Sequence, residues 1–180
     1  MAVIFKVPSH GEVAPEAQAT FDFLTKATGK VPNLYATIGY SANALNSYMA
    51  YVQAQAKGSF HGKEREAVYL IVSQLNGCEY CLASHTASAM RFGWTEDETL
   101  ALRAGTYQKG EWQLIYKIIK SVIENRGEVA GDLLNEFFEY GYHEKELMDL
   151  MVLINLMTFT NYAYRLTKIP IDFPAAKPVK

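Results

Sequence analysis

No stretch of this 180-residue chain alternates apolar and polar side chains over several positions, so the sequence offers no strand with one buried face. Apolar residues recur instead at helical spacing, and glycines punctuate the runs. Pro15 stands where a first turn starts, and Ala17, Phe21, Phe23 and Leu24 form an apolar face that stops at Gly29. Pro32 opens a second predicted helix running to about Lys57 and ended by Gly58. A third starts near His61-Gly62 and carries Ala67, Leu70, Ile71 and Leu75 on one face. Asn76-Gly77 is a stop-and-turn signal, and a fourth helix runs from about Cys78 to Phe92, ended by Gly93. Thr95 with Glu98 forms a capping box for a short helix to Ala104. Trp112, Ile115, Ile119 and Val122 mark another helix, Asp132 to Tyr140 a shorter one, and His143 to Leu166 a long last one. The expectation is an all-α fold in a single domain over residues 1–180, with extended segments at 1–14 and 170–180.

The chain is long enough to bury a substantial core, and its 49% apolar and 20% charged residues are ordinary for a globular protein. A net charge of −2 without a basic block argues against nucleic acid or an anionic membrane as partner. The most apolar stretch, Leu147 to Tyr164, contains Asp149, Asn155 and Asn161 and is too polar to span a bilayer. The opening residues lack the basic start and long apolar core of a secretion signal, so the expected compartment is the reducing cytoplasm. There a closely spaced cysteine pair is more often catalytic or metal-binding than a structural staple.

Such a pair exists: Cys78 and Cys81, the only cysteines, are followed by His85. Cys78 stands at a predicted helix start, where unpaired N–H groups and the helix dipole favour a thiolate, and Cys81 lies one turn further in. His85, four residues beyond Cys81, shares its helix face and can exchange a proton with it. Glu66 lies ten residues before Asn76 and His85 nine after it. In an antiparallel hairpin turning there, the two sit level, and the carboxylate can orient the imidazole. Glu64 lies on another side of the same helix and reads as a cap or a solvated charge.

Glu66, Cys78, Cys81 and His85, spaced in this way on a helix hairpin, resemble the motif of the alkyl hydroperoxide reductase D (AhpD) family within the carboxymuconolactone decarboxylase-like superfamily. The core of the resemblance covers about residues 35 to 105. The later Asn161-Tyr162 and Ile171-Asp172-Phe173-Pro174 resemble the peroxidase-related branch of that family. The resemblance implies a thiol-dependent peroxidase with no metal, haem or flavin cofactor. Cys81 would attack the hydroperoxide, Cys78 would resolve the sulfenic acid as a disulfide, and Glu66 with His85 would relay the proton. Reducing equivalents would come from a thiol or a protein reductant. The resemblance also implies a homo-oligomer, a trimer or hexamer. One position departs from the pattern: the best-known AhpD proteins carry a second histidine directly before the second cysteine, and here that residue is Tyr80, a poor base near neutral pH.

Other readings of the same residues stand beside this one. Cys78, Cys81, His85 and Glu66 are a conceivable zinc set, although all but one ligand lie in one helical segment. A decarboxylase of the superfamily would not need the cysteine pair. A non-peroxidase disulfide oxidoreductase, or a redox sensor, would use the pair without peroxide chemistry. Tyr35, Tyr40, Tyr48, Tyr51 and Phe60 read as core, as inter-subunit packing or as the lining of an apolar pocket entrance. The Leu147, Met148, Met151, Leu156 and Met157 stripe reads as core, and His10, His61 and His143 as surface or helix-start residues.

Overall fold

A computed structural model describes residues 5–179, and among them every regular element is helical. The helices are α1 (Pro15–Thr28), α2 (Asn33–Ile38), α3 (Ala42–Gln55), α4 (Gly62–Leu75), α5 (Glu79–Arg91), α6 (Glu96–Ala104), α7 (Trp112–Glu124), α8 (Gly131–Glu139) and α9 (Glu144–Thr167). A short 3-10 turn, His10–Glu12, precedes them. Of the two expected extended segments, residues 1–4 and 180 lie outside the described residues.

The fold is organised around α4. Every side chain from Glu66 to Ser73 on it is buried, and α5, α6, α7 and α9 all pack on it. A helix enclosed on all sides is expected to be apolar all round, and apart from Glu66 and Ser73 this run is: Ala67, Val68, Tyr69, Leu70, Ile71 and Val72. Glu66 is therefore the exception to be explained, because a buried carboxylate is costly unless it is paired. Glu64 is exposed and accepts the His61 N–H at 3.1 Å, so it caps the start of α4.

The run from Pro32 to about Lys57 is not one helix. It breaks into α2 and α3 across Gly39, Tyr40 and Ser41. A Cβ on Gly39 would lie 2.7 Å from the Phe21 ring, so only glycine lets α1 come this close. The Ser41 hydroxyl then accepts the Ala44 N–H at 3.2 Å and caps α3. The stripe on α9 also departs from expectation at Met148, which is 58% exposed.

The turn between α4 and α5 serves both helices. The Cys78 N–H donates to Ser73 O and the Gly77 N–H to Gln74 O, a Schellman ending for α4 with Gly77 at φ 63°. Cys78 is at the same time the N-cap of α5. Helix α9 clamps this turn from outside. Arg165 Nη1 donates to Asn76 O, Asn76 Nδ2 donates to Asn161 Oδ1 at 3.0 Å, and Asn161 Nδ2 donates to Ser73 Oγ at 3.2 Å. Asn161 is fully buried.

After α9 the chain runs without regular structure back across the start of α5. Lys30 Nζ donates to Asp172 Oδ2 at 2.7 Å, Arg103 Nη1 donates to Lys177 O at 2.8 Å, and Lys177 pairs with Glu96. No helix of the described residues is long and apolar enough to cross a membrane.

Candidate functional site

Cys78 and Cys81 are joined as a disulfide, with Cα atoms 5.3 Å apart, within the usual span for such a bond. Both are buried. The Cys81 N–H points at Cys78 Sγ, 3.2 Å away, as expected of an N-cap side chain and the third helical residue. Both sulfurs thus lie at the positive end of α5, the part of a helix that favours thiolate over thiol once the bond is reduced.

His85 follows one turn later and meets Glu66 across the hairpin, Nδ1 to Oε2 at 2.7 Å. The Glu66 side chain is 7% exposed and that of His85 21%. An ionised carboxylate only accepts, so Nδ1–H donates and Nε2 of the neutral ring is left as the basic nitrogen. Tyr69, also on α4, sets its ring edge-on to the imidazole, centroids 4.9 Å apart. The imidazole is therefore fixed by a hydrogen bond in its plane and by an aromatic neighbour against it. Nothing in the sequence spacing singled out Tyr69, although its position three residues after Glu66 places it on the same face of α4.

Cys81 and His85 line one cavity of about 60 Å³ together with Tyr35 from α2, Tyr48 from α3, Tyr80 from α5 and Thr160 from α9. Of the five aromatics singled out in the sequence, Tyr48 and Phe60 are buried, Tyr35 is half-buried, and Tyr40 and Tyr51 are exposed. Burial pushes the phenols of Tyr35, Tyr48 and Tyr69 above their ordinary range, so all three stay neutral at physiological pH.

Tyr80 occupies a different role from that of the histidine it replaces. Its hydroxyl donates to Asp172 Oδ1 at 2.6 Å and accepts the Leu34 N–H at 3.2 Å. Its ring packs on Tyr164 and edge-on to Phe173. Burial, and then the hydrogen bond to Asp172, push this phenol far up. Burial opposes ionisation of Asp172, but hydrogen bonds from Lys30 and Tyr80 outweigh it and hold the carboxyl below its usual range. Tyr80 is thus a fastening point for the C-terminal segment rather than a titrating group.

The four residues of the sequence motif are therefore brought together: Cys78 and Cys81 in covalent contact, His85 and Glu66 in hydrogen-bond contact, and Cys81 and His85 on one cavity wall. Among the described residues no group of three or more His, Cys, Asp or Glu side chains is arranged to hold a metal ion. His61 and His143 sit at the N-caps of α4 and α9, and His10 lies 3.0 Å from Asp22, all remote in role from the cysteine site.

Residues 41–110 match the model of the carboxymuconolactone decarboxylase family. Over 108 residues the chain is 26% identical to the uncharacterised protein YdfG of Bacillus subtilis strain 168, covering 58% of this chain and 74% of that one. Solved structures share the fold. A peroxidase-related protein of Ralstonia eutropha JMP134, described as an alkylhydroperoxidase AhpD core, superposes with a TM-score of 0.83 at 16% identity, over 93% of this chain and 91% of that one. A peroxidase-related protein of Silicibacter sp. TM1040 gives 0.78 at 18% identity, over 92% and 90%. A cysteine-to-alanine variant of the debrominase Bmp8 in complex with 2,3,4-tribromopyrrole gives 0.76 at 16% identity, over 96% and 93%. The match to the carboxymuconolactone decarboxylase family thus falls on residues 41–110, which hold the whole cysteine motif, and the chain shares its helical fold with these AhpD-like structures.

Proposed function

We propose that this protein is a thiol-dependent peroxidase that reduces hydroperoxides through a dithiol–disulfide cycle of Cys78 and Cys81. The observation that carries this reading is the shared cavity of Cys81 and His85, with the imidazole held through Nδ1 by buried Glu66. His85 Nε2 takes the Cys81 proton, directly or through water, and the thiolate attacks the terminal oxygen of the hydroperoxide. Cys81 becomes a sulfenic acid, and the Cys78 thiol displaces water from it to give the disulfide. A small thiol or a protein reductant returns two electrons and two protons to open the bond.

The cavity, about 60 Å³, has room for a peroxide group beside Cys81. An alternative is a disulfide oxidoreductase or redox sensor that cycles between dithiol and disulfide without peroxide. Reduced protein mixed with an organic hydroperoxide separates the two: a peroxidase consumes it with loss of two thiols per turnover, while a sensor is inert to it yet oxidises readily with a disulfide.

We further propose a homo-oligomer. Met148, Asn155, Phe159, Tyr162 and Leu166 recur at helical spacing on α9, and Met148, Phe159, Tyr162 and Leu166 are between 44% and 75% exposed. A row of large apolar side chains along one helix face is the kind of surface that a second copy covers.

A further inference from the structure

Tyr35 and Tyr48 stand side by side in the wall of the cavity that Cys81 and His85 line, ring centroids 5.8 Å apart. The relay of Glu66, His85 and Cys81 uses neither of them. Tyr80, the third phenol of this wall, gives its proton to Asp172, and Thr160 gives its own to the carbonyl of Met157 at 3.1 Å. No carboxylate or backbone group claims either hydroxyl among the described residues; the two phenols meet each other, the Tyr48 O–H donating to the Tyr35 oxygen. The neutral Tyr35 O–H thus remains on the wall that Cys81 shares, with Tyr48 donating to its oxygen.

We propose that Tyr35, with Tyr48 donating to its oxygen, is a hydrogen-bond donor to the oxygen that leaves when a peroxide bond breaks at Cys81, a role that rests on the peroxidase reading. In that step the Cys81 thiolate sulfur forms a bond to the terminal oxygen of R–O–O–H and the O–O bond breaks. Sulfur is oxidised by two electrons to the sulfenic acid, and the same two electrons reduce the peroxide to R–O⁻. The alkoxide then takes the proton that His85 removed from the thiol. Until it does, the negative charge sits on an oxygen in a cavity of about 60 Å³ whose wall carries the Tyr35 phenol. Fixed donors aimed at a developing oxyanion are strongest in such a place. Burial keeps both phenols protonated, and the Glu66 carboxylate adds to this at Tyr35, so Tyr35 keeps its proton to donate while Tyr48 donates to Tyr35.

The test compares reduced wild type with Tyr35→Phe, Tyr48→Phe and the double variant, against three reagents. With tert-butyl hydroperoxide, which leaves as a strongly basic alkoxide, the double variant is expected to oxidise about 10- to 100-fold more slowly, in line with loss of an oxyanion donor. With peracetic acid, whose leaving carboxylate is weakly basic, the loss is expected to be much smaller. Alkylation of Cys81 by iodoacetamide, located by peptide mass mapping, develops no oxyanion and is expected to be unchanged. Equal oxidation rates for wild type and double variant overturn the proposal. So does an equal fall with all three reagents, which assigns the tyrosines to packing. A wild type that ignores both peroxides removes the peroxidase reading itself, and the donors' role with it.

Discussion

Nδ1 of His85 stands 2.7 Å from Oε2 of Glu66, which joins the inner faces of α4 and α5 next to the cysteine pair. A carboxylate in the middle of an otherwise apolar buried run is explained by this bond, and the bond in turn selects which imidazole nitrogen is free to act as base. His85→Ala is expected to raise the Cys81 thiol pKa in the reduced protein, read from thiolate ultraviolet absorbance against pH. Its peroxide oxidation at neutral pH is expected to slow by about 100-fold or more, the low end of a general-base contribution. An unchanged thiol pKa removes His85 from the relay.

Tyr80→Phe separates fastening from chemistry. The variant loses the hydroxyl that bridges Leu34 N–H and Asp172, a bond to a charged group whose removal costs about 1.5–3 kcal/mol of stability. A lower melting temperature is expected, with the oxidation rate of Cys81 largely retained. A large fall in that rate without loss of stability makes Tyr80 a participant in the reaction.

Acid is expected to loosen the C-terminal segment. The folded-state pKa of Asp172 lies below its ordinary value of 3.8, so the stabilisation from its ionised form is complete above that value. It is lost as the pH falls through the lower folded-state value. Proteolytic nicking of residues 168–179 should therefore rise below about pH 4. Asp172→Asn should nick readily at neutral pH and show a weaker acid dependence. Equal protection of both proteins across this range contradicts the latch.

Assembly is tested by light scattering after size-exclusion chromatography. Leu166, 75% exposed, and Tyr162, 57% exposed, have the accessibility of surface groups and the chemistry of buried ones. The intact protein is expected to elute as an oligomer, and Tyr162→Lys with Leu166→Lys to lower its mass without unfolding it. A monomeric wild type ends the assignment of this face to a second copy.

Much of the site was legible because its parts are local. Cys78, Cys81 and His85 lie within one helix, and Glu66 follows from counting back through a hairpin whose turn, Asn76-Gly77, is written in the sequence. What was not legible depends on distant packing. Nothing near Tyr80 announces that Asp172, ninety-two residues later, takes its proton. For Tyr35 and Tyr48 a pocket lining is one of three readings the sequence allows, and they come from α2 and α3, which separate where the spacing suggests one helix. That break was missed because Tyr40, Leu45, Tyr48, Met49 and Val52 fit one helical period, and the deciding fact, the closeness of Phe21 to Gly39, is a tertiary contact. Tyr69 and Asn161 look like ordinary apolar and polar helix residues until α4, α5 and α9 are placed together.

The central claim is that Cys81 is the peroxide-reactive thiol, and the direct measurement is hydroperoxide consumption by reduced wild type, Cys78→Ser and Cys81→Ser, with thiols counted before and after. Wild type is expected to lose two thiols for each hydroperoxide reduced. Cys78→Ser is expected to stop at a Cys81 sulfenic acid after one equivalent, and Cys81→Ser to consume none above the background of buffer alone. Consumption by Cys81→Ser at the wild-type rate contradicts the account.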